Sequence, residues 1–193
     1  MAGIQPNFTP LDVLRALFLI DENISRQSLV KKLELGEGTV RSILDILKQK
    51  RLIASTQQGH SLTDKGELFL EEIKNHISAP KTAKTDFYKN KKQIALLLKT
   101  KQPATITTEL RDIAVRRGAT AAIILVYANG NFYAEGLEKC DFSSLKSLFD
   151  YKQNNTIVIT FAPKESEAEN AALAIAMELD QKLNAEIAMA IEF

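Results

Sequence analysis

The sequence has 193 residues, of which 45% are hydrophobic and 25% are charged, and its formal net charge is +1. This composition supports a buried core and excludes a chain that is disordered throughout. The only cysteine, Cys140, excludes an intramolecular disulfide and metal sites built on cysteine pairs. No apolar run is long enough to cross a bilayer, and the N-terminus lacks the pattern of a signal peptide. We therefore expect a cytoplasmic protein without membrane contact.

The near-zero net charge hides an uneven distribution along the chain. Residues 1–78 carry ten basic and ten acidic side chains, whereas residues 79–101 carry seven lysines against the single Asp86. Residues 102–193 carry eight basic and thirteen acidic side chains. Local charge, and not the average, therefore decides whether a segment suits nucleic acid.

Apolar residues spaced by three and four predict three helices within the first 50 residues. The first begins at Thr9-Pro10, because threonine can cap and proline suits the first helical position. The second spans about 25–33 and the third about 37–49. A tight turn around Gly36 is predicted between them.

After residue 50 the pattern changes to that of a hairpin and a fourth helix. Short apolar segments flank a polar tip over residues 52–62, and Thr63 is placed to cap a helix from Lys65 to about Ile77. Three helices, a hairpin and a further helix form the order of a winged helix-turn-helix. Such a module usually lays one helix in a DNA major groove.

The rest of the chain predicts a linker and a second domain. A winged helix-turn-helix domain over residues 1–78 is followed by a basic linker over 79–91 and an α/β domain over 92–193. In that domain the pattern predicts a strand at 94–98, a helix at 108–117, a hairpin through Asn129-Gly130 and a strand at 156–161. Helices are also expected at 141–151 and from Pro163 to about Leu183, and an edge strand at 186–191. The order indicates an α+β chain whose second domain is a ferredoxin-like, split βαβ sandwich.

Candidate DNA contacts lie mainly on the outward face of the third helix. Its apolar positions face the core, which leaves polar and basic side chains free to contact base edges and phosphates. The free amides that begin the second helix favour a phosphate, and Asp45 can orient Arg41 by an i,i+4 pair. The predicted DNA-binding residues are Arg26, Gln27, Thr39, Arg41, Ser42, Lys48, Lys50, Arg51, Gln57, Gln58 and His60.

Enzyme signatures are missing from the sequence. There is no phosphate-binding loop, no dinucleotide-binding glycine motif and no nucleophile elbow. The two histidines, His60 and His76, are too few for a histidine-rich metal centre. We therefore expect no catalytic activity, no metal and no cofactor.

Residues 9–77 resemble the winged-helix regulators of bacteria and archaea. The resemblance is carried by residues 24–33, by residues 38–44, by Leu52-Ile53 and by Leu62-Thr63-Asp64-Lys65-Gly66. Arg51 is a departure, because many relatives have glycine before the first wing strand. The whole chain looks like an uncharacterised archaeal family of predicted winged-helix transcriptional regulators, which implies DNA binding by the first domain and brings no catalytic residues.

The sequence favours a DNA-binding transcriptional regulator that acts on double-stranded DNA as a homodimer. Its second domain is expected to dimerise, to bind a small-molecule effector, or to do both. Two alternatives stay open. One is a protein-interaction module built on a winged helix, and the other is an enzyme with a regulatory winged helix.

Overall fold

The computed structural model describes residues 7–21, 23–57, 59–102 and 105–191. The chain divides into two compact units. The first contains the described residues up to Ile73 together with those from Lys182 onward, and the second spans Lys74–Gln181.

The first unit has the predicted order of three helices, a hairpin and a fourth helix. An isolated antiparallel bridge between Ile24 and His60 joins residue 24 to the hairpin. A C-terminal helix completes the unit. Its elements are α1 (Pro10–Ile20), α2 (Arg26–Leu33), α3 (Glu37–Gln49), β1 (Ile53–Thr56), β2 (Gly59–Leu62), α4 (Asp64–His76) and α7 (Gln181–Ile191).

Helix α1 lies at the centre of this unit. Every residue from 11 to 17 is buried, including the polar Asp12 and Arg15. The Arg15 guanidinium lies 3.2 Å from the Asp12 carboxylate and also donates to the Leu33 carbonyl oxygen at 3.3 Å. These contacts join α1 to the end of α2.

The second unit is built on one antiparallel sheet of five strands in the order β3-β4-β7-β5-β6. Strand β7 is buried along its whole length, as expected for the central strand. The elements are β3 (Lys81–Thr82), β4 (Lys92–Leu98), α5 (Thr108–Arg116), β5 (Ala121–Ala128), β6 (Asn131–Tyr133), β7 (Thr156–Ala162) and α6 (Glu165–Leu179).

The long helix α6 covers the sheet of its own unit. Its alanine-rich face is buried, and the Thr160 hydroxyl of β7 donates to the Ala168 carbonyl oxygen of α6 at 2.7 Å. On the opposite face of the sheet, Phe142 and Leu145 pack against β4, β5 and β7. The apolar face of α6 is therefore not available to a second subunit.

The α+β class is confirmed, but the strand order differs from that of a ferredoxin-like sandwich. Strands β4 and β5 lie on either side of β7, which forms the expected split β-α-β unit. In a ferredoxin-like sandwich the third strand lies between the first two, whereas here the last strand takes that place and β6 lies at the edge.

The helix expected at 141–151 is also absent. Only Ser143–Leu145 forms a helical turn, of the 3-10 type. The Asp141 carboxylate accepts bonds from the Ser143 amide at 2.7 Å and the Ser143 hydroxyl at 3.0 Å. Such a local turn competes with helix formation.

Two further segments differ from the sequence-based expectation. Residues 79–91, expected to be a linker, lie in the second unit: they supply β3 and the buried Ala83, and Gln93 holds Thr85 through its side-chain oxygen at 2.8 and 2.9 Å. Residues 186–191, expected as an edge strand of the second domain, belong to helix α7 and group with the first unit. The division therefore differs from domains at 1–78 and 92–193.

Candidate nucleic-acid interface

Helix α3 has one buried and one exposed face, with the predicted assignment of residues. Val40, Ile43, Leu44 and Leu47 are buried. Thr39 is half-buried, and the exposed side chains are Glu37, Arg41, Ser42, Asp45, Lys48 and Gln49.

The hairpin lies against the start of α2 through its backbone. The Ile24 amide donates to the His60 carbonyl oxygen at 3.1 Å, and the His60 amide donates to the Ile24 carbonyl oxygen at 2.9 Å. Ser25 caps α2, because its hydroxyl oxygen accepts from the Ser28 amide at 3.2 Å. These bonds fix His60 beside the first turn of α2.

A cleft of about 290 Å³ opens where α2, α3 and β2 meet. It brings together five of the eleven predicted DNA-binding residues, although they come from three separate elements. Its lining residues are Ser25, Arg26, Gln27, Arg41, Leu44, Asp45, Lys48 and His60.

The cleft carries an excess of positive charge. Arg26, Arg41 and Lys48 supply cations, and Asp45 is the one carboxylate among the lining residues. The Arg26 guanidinium also lies 3.0 Å from the carboxylate of Glu37, but both side chains are well exposed. An exposed ion pair of this kind contributes little to the free energy of folding. Arg26 can therefore exchange Glu37 for a phosphate.

His60 is the titratable group of the cleft that the structure perturbs most clearly. Its Nδ1 lies 3.1 Å from the Ser55 hydroxyl oxygen. Partial burial, followed by the positive charges of Lys48 and Arg26, holds the pKa of His60 below its usual value of 6.5. The imidazole is therefore neutral at pH 7 in the absence of a bound anion.

The other predicted contacts lie outside the cleft. Thr39 and Ser42 lie on the first half of α3, where the Ser42 hydroxyl donates to the Gly38 carbonyl oxygen at 3.2 Å. Arg51 lines a separate groove at the foot of the hairpin. Gln57 is exposed at the hairpin tip, and Gln58 lies outside the described residues.

The main chain at residues 50 and 51 is fixed by the start of α4. The Thr63 hydroxyl donates to the Arg51 carbonyl oxygen at 2.7 Å, and the Lys65 ammonium donates to the Lys50 carbonyl oxygen at 2.9 Å. Arg51 has a φ of 58°, in the left-handed region that favours glycine. This conformation explains why glycine suits the position in winged-helix relatives.

Ser25 and Lys65 are two polar lining residues of these surfaces that the sequence did not predict as contacts. Ser25 lines the cleft but is not among the predicted DNA-binding residues. Lys65 lines the groove beside Arg51, but the pattern identified it only as the start of a helix. The one sequence signal that Ser25 lines the cleft was its position directly before Arg26.

The second unit contains a larger cleft of about 700 Å³ beside β6. Ile106, Phe132, Tyr133 and Phe142 supply apolar walls. Hydrogen bonds from backbone amides lower the pKa of Glu138, and those from the Ser143 amide and hydroxyl lower that of Asp141. The remaining residues that line this cleft are Val126, Asn131, Ala134, Glu135, Cys140, Ser143 and Lys146.

The described ranges contain neither a candidate metal site nor a candidate membrane span. No group of three histidine, cysteine, aspartate or glutamate side chains in them is arranged to hold a metal ion. Within the same part of the chain, no helix combines the length and the apolar character that a membrane span requires.

Two parts of the chain match family models, and nearly the whole chain is similar to a solved structure. Residues 10–68 match the family model of the PH0730-like N-terminal domain, and residues 88–179 match that of a domain of unknown function, DUF4443. A solved structure, the hypothetical protein PH0730 from Pyrococcus horikoshii OT3, is 29% identical with a TM-score of 0.81. That match covers 96% of this chain and 100% of the other. No curated protein matches the chain. The similarity thus extends over both units.

Proposed function

We propose that the protein is a DNA-binding transcriptional regulator whose first unit contacts duplex DNA through α3 and the cleft beside it. The observation that carries the proposal is the convergence of Arg26, Arg41 and Lys48 at the exposed face of α3. Cations from two helices on one surface suit a ligand with regularly spaced negative charges.

In the proposed complex α3 acts as the recognition helix. With α3 in the major groove, its exposed face meets base edges and Arg41 pairs with a guanine. Arg26 and the first amides of α2 bind a backbone phosphate, and Lys48 binds another. Base contacts then select the sequence, and phosphate contacts fix the position of the protein.

The direct test is a fluorescence-polarisation titration of the full chain with labelled genomic fragments. We expect Arg41→Ala/Lys48→Ala to weaken binding at least tenfold, because it removes a base contact and a phosphate contact. The matched control is Arg111→Ala/Arg116→Ala, which removes two exposed cations from α5 in the second unit.

The salt dependence separates duplex DNA from a protein partner. Each neutralised phosphate contributes about −0.9 to the slope of log K against log salt concentration. We expect the slope to become less negative by about one in the Arg41/Lys48 variant, which loses one phosphate contact, and to stay unchanged in the control. Equal affinities and equal slopes for the two variants would contradict the proposed surface.

For the second unit we propose effector binding, dimerisation or both. The cleft beside β6, at about 700 Å³, has the size of a small-molecule site and combines apolar walls with a few charged groups. A homodimer would match a two-fold symmetric operator. Light scattering of the full chain measures its mass, and thermal shifts against a metabolite library test the cleft. A monomer that no compound stabilises would refute both roles.

A further inference from the structure

Asp45 stands out on the proposed DNA-binding face because its charge opposes that of the ligand. Arg41 lies four residues before it and Lys48 three residues after it, on the same exposed side of α3. In the described ranges Asp45 forms no ion pair, so the expected pair with Arg41 is not present. Its carboxylate oxygens therefore face the cleft as open acceptors.

A carboxylate in this place is repelled by phosphate and can only accept hydrogen bonds. In the major groove, cytosine presents its amino group as a donor, whereas adenine presents a donor beside an acceptor. An acceptor-only side chain therefore suits cytosine better than adenine. Guanine and thymine present acceptors there and would leave the carboxylate unpaired.

The spacing of Asp45 and Arg41 along α3 indicates how many base pairs separate the two bases that they contact. Four residues correspond to a rise of about 6 Å, and successive base pairs are about 3.4 Å apart. The geometry points to Asp45 as a specificity-determining residue that selects a cytosine one or two base pairs from the guanine bound by Arg41. This inference rests on the proposed function, since it assigns a base to a residue of the same site.

The test compares the full-length wild type with Asp45→Asn and with Glu71→Gln. Glu71 is exposed on α4, so its substitution removes the same charge away from α3. A duplex bound by the wild type is enriched from a randomised library. The dissociation constants of that duplex and of each single base-pair variant are then measured for all three proteins.

For the wild type we expect one C·G pair whose replacement weakens binding about tenfold. In Asp45→Asn the preference at that pair shifts toward adenine, because an amide both donates and accepts. The variant also binds random duplex more tightly, because less repulsion opposes the phosphates. Glu71→Gln keeps the base preference of the wild type.

Two results would overturn the inference while leaving DNA binding intact. One is an unchanged base preference at every position in Asp45→Asn, and the other is wild-type binding without any base preference. A wild type that binds no duplex at all would refute the proposed function itself.

Discussion

Gly59 lies so close to Ile24 that a β-carbon on residue 59 would come within 2.6 Å of the Ile24 carbonyl oxygen. Gly59 also has a φ of 145°, a conformation that side-chain-bearing residues rarely adopt. The missing side chain therefore allows β2 to reach the start of α2 and places His60 in the cleft.

Gly59→Ala should destabilise the first unit and weaken DNA binding. The added methyl group cannot fit beside the Ile24 backbone, so the two hydrogen bonds between residues 24 and 60 are strained or lost. We expect the free energy of unfolding to fall by about 2 kcal/mol. Chemical denaturation measures this loss.

The matched control is Gly38→Ala, because a β-carbon on this helical glycine meets open space. It should stabilise α3 by about 0.5–1 kcal/mol. Equal effects of the two substitutions would show that the contact at Gly59 is unimportant.

Gly66→Ala should be more damaging than Gly59→Ala. A β-carbon at residue 66 would overlap the Leu52 carbonyl oxygen, and the rigid backbone of both elements offers no simple relief. We expect a loss of roughly 3 kcal/mol or more, measured by thermal or chemical unfolding. A variant as stable as the wild type would show that α4 can move away from Leu52. The contact gives a physical reason for the glycine of the Leu62–Gly66 motif.

DNA affinity should rise as the pH falls toward and below 6.5. A phosphate in the cleft raises the pKa of His60 from its lowered value, so the complex binds more protons than the free protein. The slope of log Kd against pH can reach about one for this single group. Polarisation titrations between pH 5.5 and 8 at constant salt measure it. His60→Gln should flatten the profile, and an identical slope in that variant would exclude His60 as its source.

The same pKa shift predicts the opposite pH trend for stability without DNA. His60 has a lower pKa in the folded chain than in the unfolded one, so the unfolded chain binds more protons below about pH 6.5. Stability is therefore complete above this pH and decreases as the pH falls toward the folded-state pKa. Unfolding of wild type and His60→Gln at several pH values isolates this contribution, and parallel curves would contradict it.

Arg51→Gly tests whether this arginine serves the fold or the ligand. Its left-handed backbone costs about 1 kcal/mol or more for a residue with a side chain, and glycine removes that cost. We expect unfolding measurements to show equal or higher stability. If Arg51 also contacts phosphate, the same variant binds DNA more weakly and with a shallower salt slope. Unchanged DNA binding would remove Arg51 from the interface.

The sequence predicted α1 to α4 of the first unit because each of these helices combines an apolar stripe with a clear start. The prediction failed at α7, where the spacing of the apolar residues fits both a strand and a helix. Ile187, Met189 and Ile191 alternate like the residues of a strand, but the structure buries Leu183, Ile187 and Ile191 at helical spacing and leaves Met189 74% exposed. Only the packing of the folded unit could distinguish these readings.

Local sequence patterns predict one part of the candidate site, and contacts between distant residues determine the other part. Helical periodicity was sufficient to place Arg41, Asp45 and Lys48 on the exposed side of α3. The convergence of Arg26 and His60 with Arg41 depends on the bridge between Ile24 and His60, which joins residues 36 positions apart. No local pattern specifies such a bridge.

The first unit is not contiguous in sequence, because helix α7 groups with residues that precede it by more than a hundred positions. Its Leu183, Ile187 and Ile191 are buried. Translation proceeds from the N-terminus, so the ribosome must complete the whole intervening sheet before this helix can dock. A nascent chain therefore completes its first unit only after the second unit has been synthesised, and a fragment ending at residue 78 lacks α7.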